Sequence, residues 1–407
     1  MHRVLMVLLS VAMAVPSGSA AQNATDLLRH HADRRPDYFA EVLPSGLEAI
    51  QLPPPPPGEA PVAVRAIYLN AWAFGGSRFY DLVRLADTTE INAFVIDVKD
   101  DTGYLTYRSS VPTALEVGAN GMIRARDATA RIALLHEHGI YPIARIVVAK
   151  DPLLAVQKPR WAVQDSRGGF WHDRINSKWV DAYNDSVWTY AADIGAEAVL
   201  LGFREVQFDY LRFPDEPREL LQYAVFPARR ARELFHQAVR RNVRLMRRRL
   251  EHLRVPFTLD VFGLTMSSDG DVGVGQRWSD LAPLADVMLP MIYPSHYRRG
   301  AFGIGHPNGE PYSVVRRALQ DGLERAAAMD DPPQIRPYLQ AFTIYRVRYD
   351  AEMIRAQIRA AEELGIGEWV LWNPRSVYPA DAFRLLPPNL RWLEAVTVDA
   401  DQLEPER

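Results

Sequence analysis

The stretch Arg204-Glu-Val-Gln-Phe-Asp-Tyr-Leu-Arg-Phe-Pro214 decides the fold. Val206, Phe208 and Tyr210 alternate with Gln207, Asp209 and Leu211, which is the two-residue period of a strand. One face is wholly apolar and aromatic. The other carries Asp209 at the strand's carboxyl end, with Arg212 just beyond and Pro214 unable to continue a ladder. A carboxylate in a core strand is costly to bury unless partners compensate. Asp209 therefore either caps or pairs locally with Arg212, or it serves chemistry. The second reading gains weight because other strands end in the same way.

Outward from this strand, short apolar runs alternate with helical patterns. Strands are expected over 64–70, 93–98, 141–148, 205–211, 256–262, 287–293, 335–342 and 368–372. Helices are expected over 79–88, 128–138, 185–201, 228–253, 312–329 and 351–364, with a weaker pattern near 278–284 and a short one near 381–386. Eight β-then-α units predict an α/β protein, a closed (β/α)8 TIM barrel over residues 63–390. No glycine-rich turn follows the first strand, which argues against a dinucleotide-binding domain. In the helix at 228–253, Val239, Val243, Met246, Leu250 and Leu253 form one core-facing stripe. Its many arginines fall outside that stripe, as on the solvated outer face of a barrel helix.

The 407 residues carry a formal net charge of -3 and no cysteine. Disulfides, thiolate metal sites and cysteine nucleophiles are thereby excluded, and no overall charge favours nucleic acid as a partner. Residues 1–20 read as a signal peptide, with His2 and Arg3 before an apolar run from Val4 to Val15 and a small-residue zone ending at Ala20. Residues 21–62, with five consecutive prolines at 53–57, read as a polar and Pro-rich linker, and 391–407 as a C-terminal tail. No segment is long and apolar enough to span a membrane. The expectation is an exported bacterial protein, periplasmic or extracellular, of undetermined oligomeric state.

In a barrel of this kind the active site forms at the carboxyl ends of the strands. There the sequence places Tyr68 on strand one, Asp97, Lys99 and Asp100 on strand two, and Arg145 on strand three. Strand four supplies Gln207, Asp209 and Arg212, strand five Asp260, and strand six Tyr293 and His296. Strand seven brings Gln340, and strand eight Trp372 and Asn373. Several carboxylates without a cysteine suggest two-carboxylate chemistry on a glycosidic bond, one group protonated and one ionised. Asp209 is the expected nucleophile or base, and Asp260 or Asp97 the acid. Glu205 is set aside as facing the helices. The remaining strand-end residues are candidates for binding a carbohydrate substrate. Trp161, Trp171, Trp179 and Trp372 either stack on sugar rings or pack beneath a long loop. No cofactor and no metal are expected, although Asp97, Asp100 and Asp101 offer oxygen ligands to a divalent cation.

Five segments carry a resemblance: 64–69 (VRAIYL), 94–103 (FVIDVKDDTG), 206–214 (VQFDYLRFP), 288–297 (MLPMIYPSHY) and 335–342 (IRPYLQAF). Together they resemble the glycosyl hydrolase-like domain of bacterial secreted and envelope proteins, which implies a TIM-barrel glycosidase fold. A looser likeness is to the α-amylase-type barrels, where an Asp ending strand four is the nucleophile and a Glu ending strand five the acid. This chain has Asp260 at the second position, one methylene shorter. The alternative is a barrel that binds envelope glycan without cleaving it.

Overall fold

The computed structural model describes residues 60–386. The expected signal peptide, all but the last three residues of the expected linker, the end of the expected barrel domain and the expected C-terminal tail lie outside the described residues. Eight parallel strands close into a barrel: β1 (Arg65–Leu69), β2 (Ala93–Lys99), β3 (Tyr141–Val147), β4 (Glu205–Asp209), β5 (Phe257–Phe262), β6 (Val287–Ile292), β7 and β8 (Trp369–Trp372). β7 comes in two pieces, Gln334–Ile335 and Tyr338–Gln340, parted by Arg336 and Pro337. Its second piece pairs with both β6 and β8, and β8 pairs with β1, which closes the ring.

Among the described residues, successive strands are linked round the ring by α1 (Arg78–Thr88), α2 (Ala128–Glu137), α3 (Asp185–Leu201), α4 (Phe235–Leu250), α5 (Trp278–Leu281), α6 (Pro311–Ala327) and α7 (Ala351–Glu362), with further short helical turns in the loops. Covered by helices outside and side chains within, the strands are buried on both faces, which explains their apolar runs. On α4, Val239, Val243, Met246 and Leu250 are buried as the stripe predicts, each worth about 1.5–3 kcal/mol of transfer free energy. Its outward arginines pair with neighbouring helices and loops: Arg249 with Asp193, Arg247 with Asp286, Arg241 with Glu233. This helix starts at Phe235 rather than near 228. Arg232 takes a left-handed φ of 56° that no helix continues through, and the Gln237 side chain accepts from the N–H of Leu234 to cap the new start. After β8 only a short 3-10 turn, Ala380–Ala382, stands where a helix near 381–386 was expected.

The barrel holds two separate cores. One lies between strands and helices. The other fills the lumen and includes Ala66 and Tyr68 of β1, Val95 of β2, Ile143 of β3, Leu289 of β6, Tyr338 of β7 and Val370 of β8. Glu205 belongs to this inner face, which corrects the expectation that it faces the helices. It shares the parity of Gln207 and Asp209, and it pairs across the lumen with Arg336 at 2.7 Å.

Candidate active site

The inward residues at the carboxyl end of the barrel converge on Arg145. This side chain rises from β3 and is almost fully buried. Nη1 donates to Asp97 Oδ1 at 2.5 Å, and Nη2 donates to Asp209 Oδ2 at 2.5 Å. Nε donates to Asp209 Oδ2 at 3.2 Å and lies 3.8 Å from Asp260 Oδ2. One guanidinium thus binds carboxylates from three strands. Two aromatic rings cover it, Trp372 at 4.9 Å and Tyr68 at 5.5 Å, the two stacked on each other at 3.8 Å.

The three carboxyl groups sit in different surroundings. Asp209 Oδ2 is held by Arg145, and its Oδ1 accepts the N–H of Tyr210 at 2.5 Å. Asp260 accepts from Gln207 Nε2 at 2.9 Å on one oxygen, and its Oδ1 is buried with no hydrogen-bond partner among the described residues. Burial first, and then the negative charge of Asp209, push the Asp260 carboxyl well above the usual carboxylate range. Asp97 receives the Tyr68 hydroxyl as well as Arg145, and burial lifts it to about 6 against the pull of that arginine. Burial and the nearby charges of Asp209 and Asp260 likewise hold the Tyr293 phenol in its protonated form. The cluster therefore contains one carboxylate well supplied with donors and one carboxyl driven towards its acid form, the pairing that acid–base chemistry requires.

Above this cluster opens a cavity of about 200 Å³. It is lined by Arg145, Asp209, Tyr210, Arg212, Asp260, Phe262, Met291, Tyr293, His296, Tyr338 and Trp372. Tyr210 is drawn into it by the backbone. Its φ of 54° is unusual for an aromatic residue, ends the strand at Asp209 instead of Leu211, and sets its ring at the cavity. The turn, more than Pro214, stops the ladder.

Among the residues expected at the site, the structure brings Arg145, Asp209, Arg212, Asp260, Tyr293, His296 and Trp372 to the cavity. Asp97, Tyr68 and Gln207 lie just beneath it and brace Arg145, Trp372 and Asp260. The other four are elsewhere. A register shift between Asp97 and Lys99 turns Lys99 to the helix side, away from the strand-end site where it was expected. There it pairs with Asp151 at 2.8 Å and donates to the carbonyl of Val147. Gly103 makes this packing feasible: it has a φ of 87°, and a Cβ there would sit 2.1 Å from Asp151 Oδ1. Asp100 caps its own loop by accepting from Thr102 N. Gln340 accepts from Ser295 N and donates to the Phe342 carbonyl, while Asn373 donates to the carbonyls of Ala341 and Val377. Both tie strand-end loops together. Asp101 pairs with Lys150, so Asp97, Asp100 and Asp101 each face a different basic side chain instead of a common point.

Tyr210, Phe262, Met291 and Tyr338 line the cavity without having been expected there. Phe262 is two residues past Asp260, Met291 two before Tyr293, and Tyr338 two before Gln340, so strand parity alone would have found three of them. Trp171 and Trp179 are buried under the loop after β3, donating to the Leu220 carbonyl and to Asp173, and are packing residues. Among the described residues no helix is long and apolar enough to cross a membrane.

A family model described as "Putative glycosyl hydrolase domain" matches residues 66–378. The chain belongs to that family. It is also similar to a solved hypothetical protein from Ruminiclostridium thermocellum ATCC 27405, at 36% identity and a TM-score of 0.44, covering 48% of this chain and 97% of that one. A similarity to the α-galactosidase of Thermus thermophilus runs at 15% identity and a TM-score of 0.47, over 83% of this chain and 62% of the enzyme. The glycoside hydrolase domain of PelA from Pseudomonas aeruginosa is similar at 14% identity and a TM-score of 0.42, over 80% of this chain and 98% of the domain. No match is found among curated proteins.

Proposed function

We propose that this protein is an exported glycoside hydrolase that cleaves a glycosidic bond in a polysaccharide, with Asp209 and Asp260 as its two carboxyl groups. One observation carries the reading: two carboxyl groups line one cavity, share Arg145, and are held in contrasting environments. Asp260, driven towards its acid form and with Oδ1 uncommitted, donates a proton to the leaving oxygen. Asp209, fixed by Arg145 and the Tyr210 N–H, attacks the anomeric carbon or activates water. Arg145 Nε reaches one oxygen of each carboxylate, at 3.2 and 3.8 Å, so those oxygens are no farther apart than these two distances laid end to end. Asp97 and Tyr68 position Arg145; Tyr293, His296 and Trp372 contact the sugar. Export rests on the leader read at residues 1–20.

The test is reducing-end release by residues 22–407 from a panel of bacterial and plant polysaccharides. The reading predicts release from at least one polymer, and a fall of at least about a hundredfold in Asp209→Asn with the fold retained. A second reading, glycan binding without cleavage, rests on the complete burial of Asp260 and on the shorter Asp where a strand-five Glu would reach further. Pull-down of a glycan by both proteins, with no release by either, would favour it.

A further inference from the structure

Arg212 is the charged group at the cavity that this scheme leaves unused. It lies just past β4, only 9% exposed, and lines the cavity beside Asp209. Its charge has no counter-ion: among the described residues no carboxylate comes within ion-pair distance of it. The other buried cations of the barrel are matched, Arg145 by three aspartates, Arg336 by Glu205 and Glu368, and Lys99 by Asp151. Its acidic chain neighbours do not serve either. Asp215 is exposed, and Glu216 is taken by Arg174 at 2.8 Å. Of the Arg212 donors, Nη1 makes one long bond to the Phe213 carbonyl at 3.3 Å, and Nε is buried with no hydrogen-bond partner among the described residues.

Aromatic rings surround this guanidinium, Tyr210 at 4.6 Å, Phe262 at 4.7 Å and Trp179 at 5.3 Å. Rings hold a cation without neutralising it, and they leave the donor edge of the fork free. Within the cavity the charge of Arg145 is already met by Asp97 and Asp209, and Asp260 is driven towards neutrality. With Asp97 and Asp209 both taken by Arg145, the Arg212 guanidinium remains without an ion-pair partner of its own beside the reactive pair. A buried guanidinium without an anion is costly, and a planar carboxylate satisfies it with two parallel hydrogen bonds.

Resting on the glycosidase reading above, we infer that the sugar bound beside Asp209 and Asp260 carries a carboxylate, as a uronic acid does, and that Arg212 binds it. Arg212 then selects an acidic glycan over its neutral counterpart.

Free sugars test this without turnover. Glucuronate and galacturonate are titrated into residues 22–407 beside glucose and galactose, with binding followed by NMR. The expected result is uronate binding roughly ten- to hundredfold tighter than that of the neutral counterpart, the scale of a charge-assisted pair. Arg212→Met, whose stem still packs between the rings, should erase the difference. Arg212→Lys keeps the charge without the fork and should retain part of it. Equal affinities, no uronate binding at millimolar concentration, or a preference that survives Arg212→Met would each overturn the inference. Reducing-end release from polygalacturonate and alginate, and from their carboxyl-reduced forms, separates the two claims. Release without uronate preference leaves the hydrolase and removes the acidic substrate. Uronate binding lost in Arg212→Met, with no release from any polymer, leaves the anion site and removes the hydrolase.

Discussion

The barrel lumen carries two carboxylate–arginine clusters, one at each end, and β4 supplies both. At the amino end Glu205 and Glu368 pair with Arg336 at 2.7 and 3.1 Å. At the carboxyl end Asp97, Asp209 and Asp260 gather on Arg145 under Tyr68 and Trp372. The lower cluster buries Arg336 and Glu205 almost completely, and its ion pairs tie β4, the break in β7 and the start of β8 together. The upper one opens on a cavity, has one carboxyl group more, and holds that group towards its acid form. The same residue types thus serve cohesion where the lumen is closed and have the makings of chemistry where it is open. Surplus and access distinguish the two, not composition.

The comparison can be broken most forcefully from below. Arg336→Met leaves Glu205 buried without its cation and should cost about 3–5 kcal/mol in urea denaturation, with turnover per folded molecule unchanged. A large loss of turnover in folded protein would mean that the lower cluster is not merely cohesive. At the upper end Asp260→Asn should do the reverse. Asn is neutral, as burial drives Asp260 to be, so the melting temperature should move little while polysaccharide release falls at least about a hundredfold.

A smaller effect concerns Asp97. Its carboxyl titrates near 6 in the fold against 3.8 in the unfolded chain, so the native state binds the extra proton between those values. Stability contributed by the neutral form is complete at acid pH and is lost as pH rises through that window. The stability of the wild type relative to Asp97→Asn should therefore fall between about pH 4 and 6, as read from paired denaturation curves. A rise would reverse the assigned cause. Smallest of all, Gln340→Leu should cost about 1–2 kcal/mol through the unmet N–H of Ser295 and leave KM unchanged, since Gln340 ties loops outside the cavity. A raised KM would return it to the binding surface.

Much of this was legible in the chain. Short apolar runs located all eight strands, because strands buried on both faces leave apolar segments bounded by polar turns. Parity also pointed Asp209, Asp260 and Arg145 to one end. What escaped were departures from regular backbone. A register shift after Asp97 carries Lys99 outward, and a left-handed Tyr210 swings an off-face ring into the cavity. Neither leaves a period to read. Asp100, Gln340 and Asn373 are drawn off by hydrogen bonds to loop backbone whose geometry depends on the whole fold. Glu205 was legible, since its alternation with Gln207 and Asp209 already placed it inside.

The most direct measurement compares Asp209→Asn with Glu205→Gln, two pleats apart on one face of one strand, in the same reducing-end release assay normalised to folded protein. The account predicts that Asp209→Asn loses at least about a hundredfold of the wild-type rate, while Glu205→Gln keeps the rate and loses stability. Equal losses in the two, or a rate that survives Asp209→Asn, would contradict it.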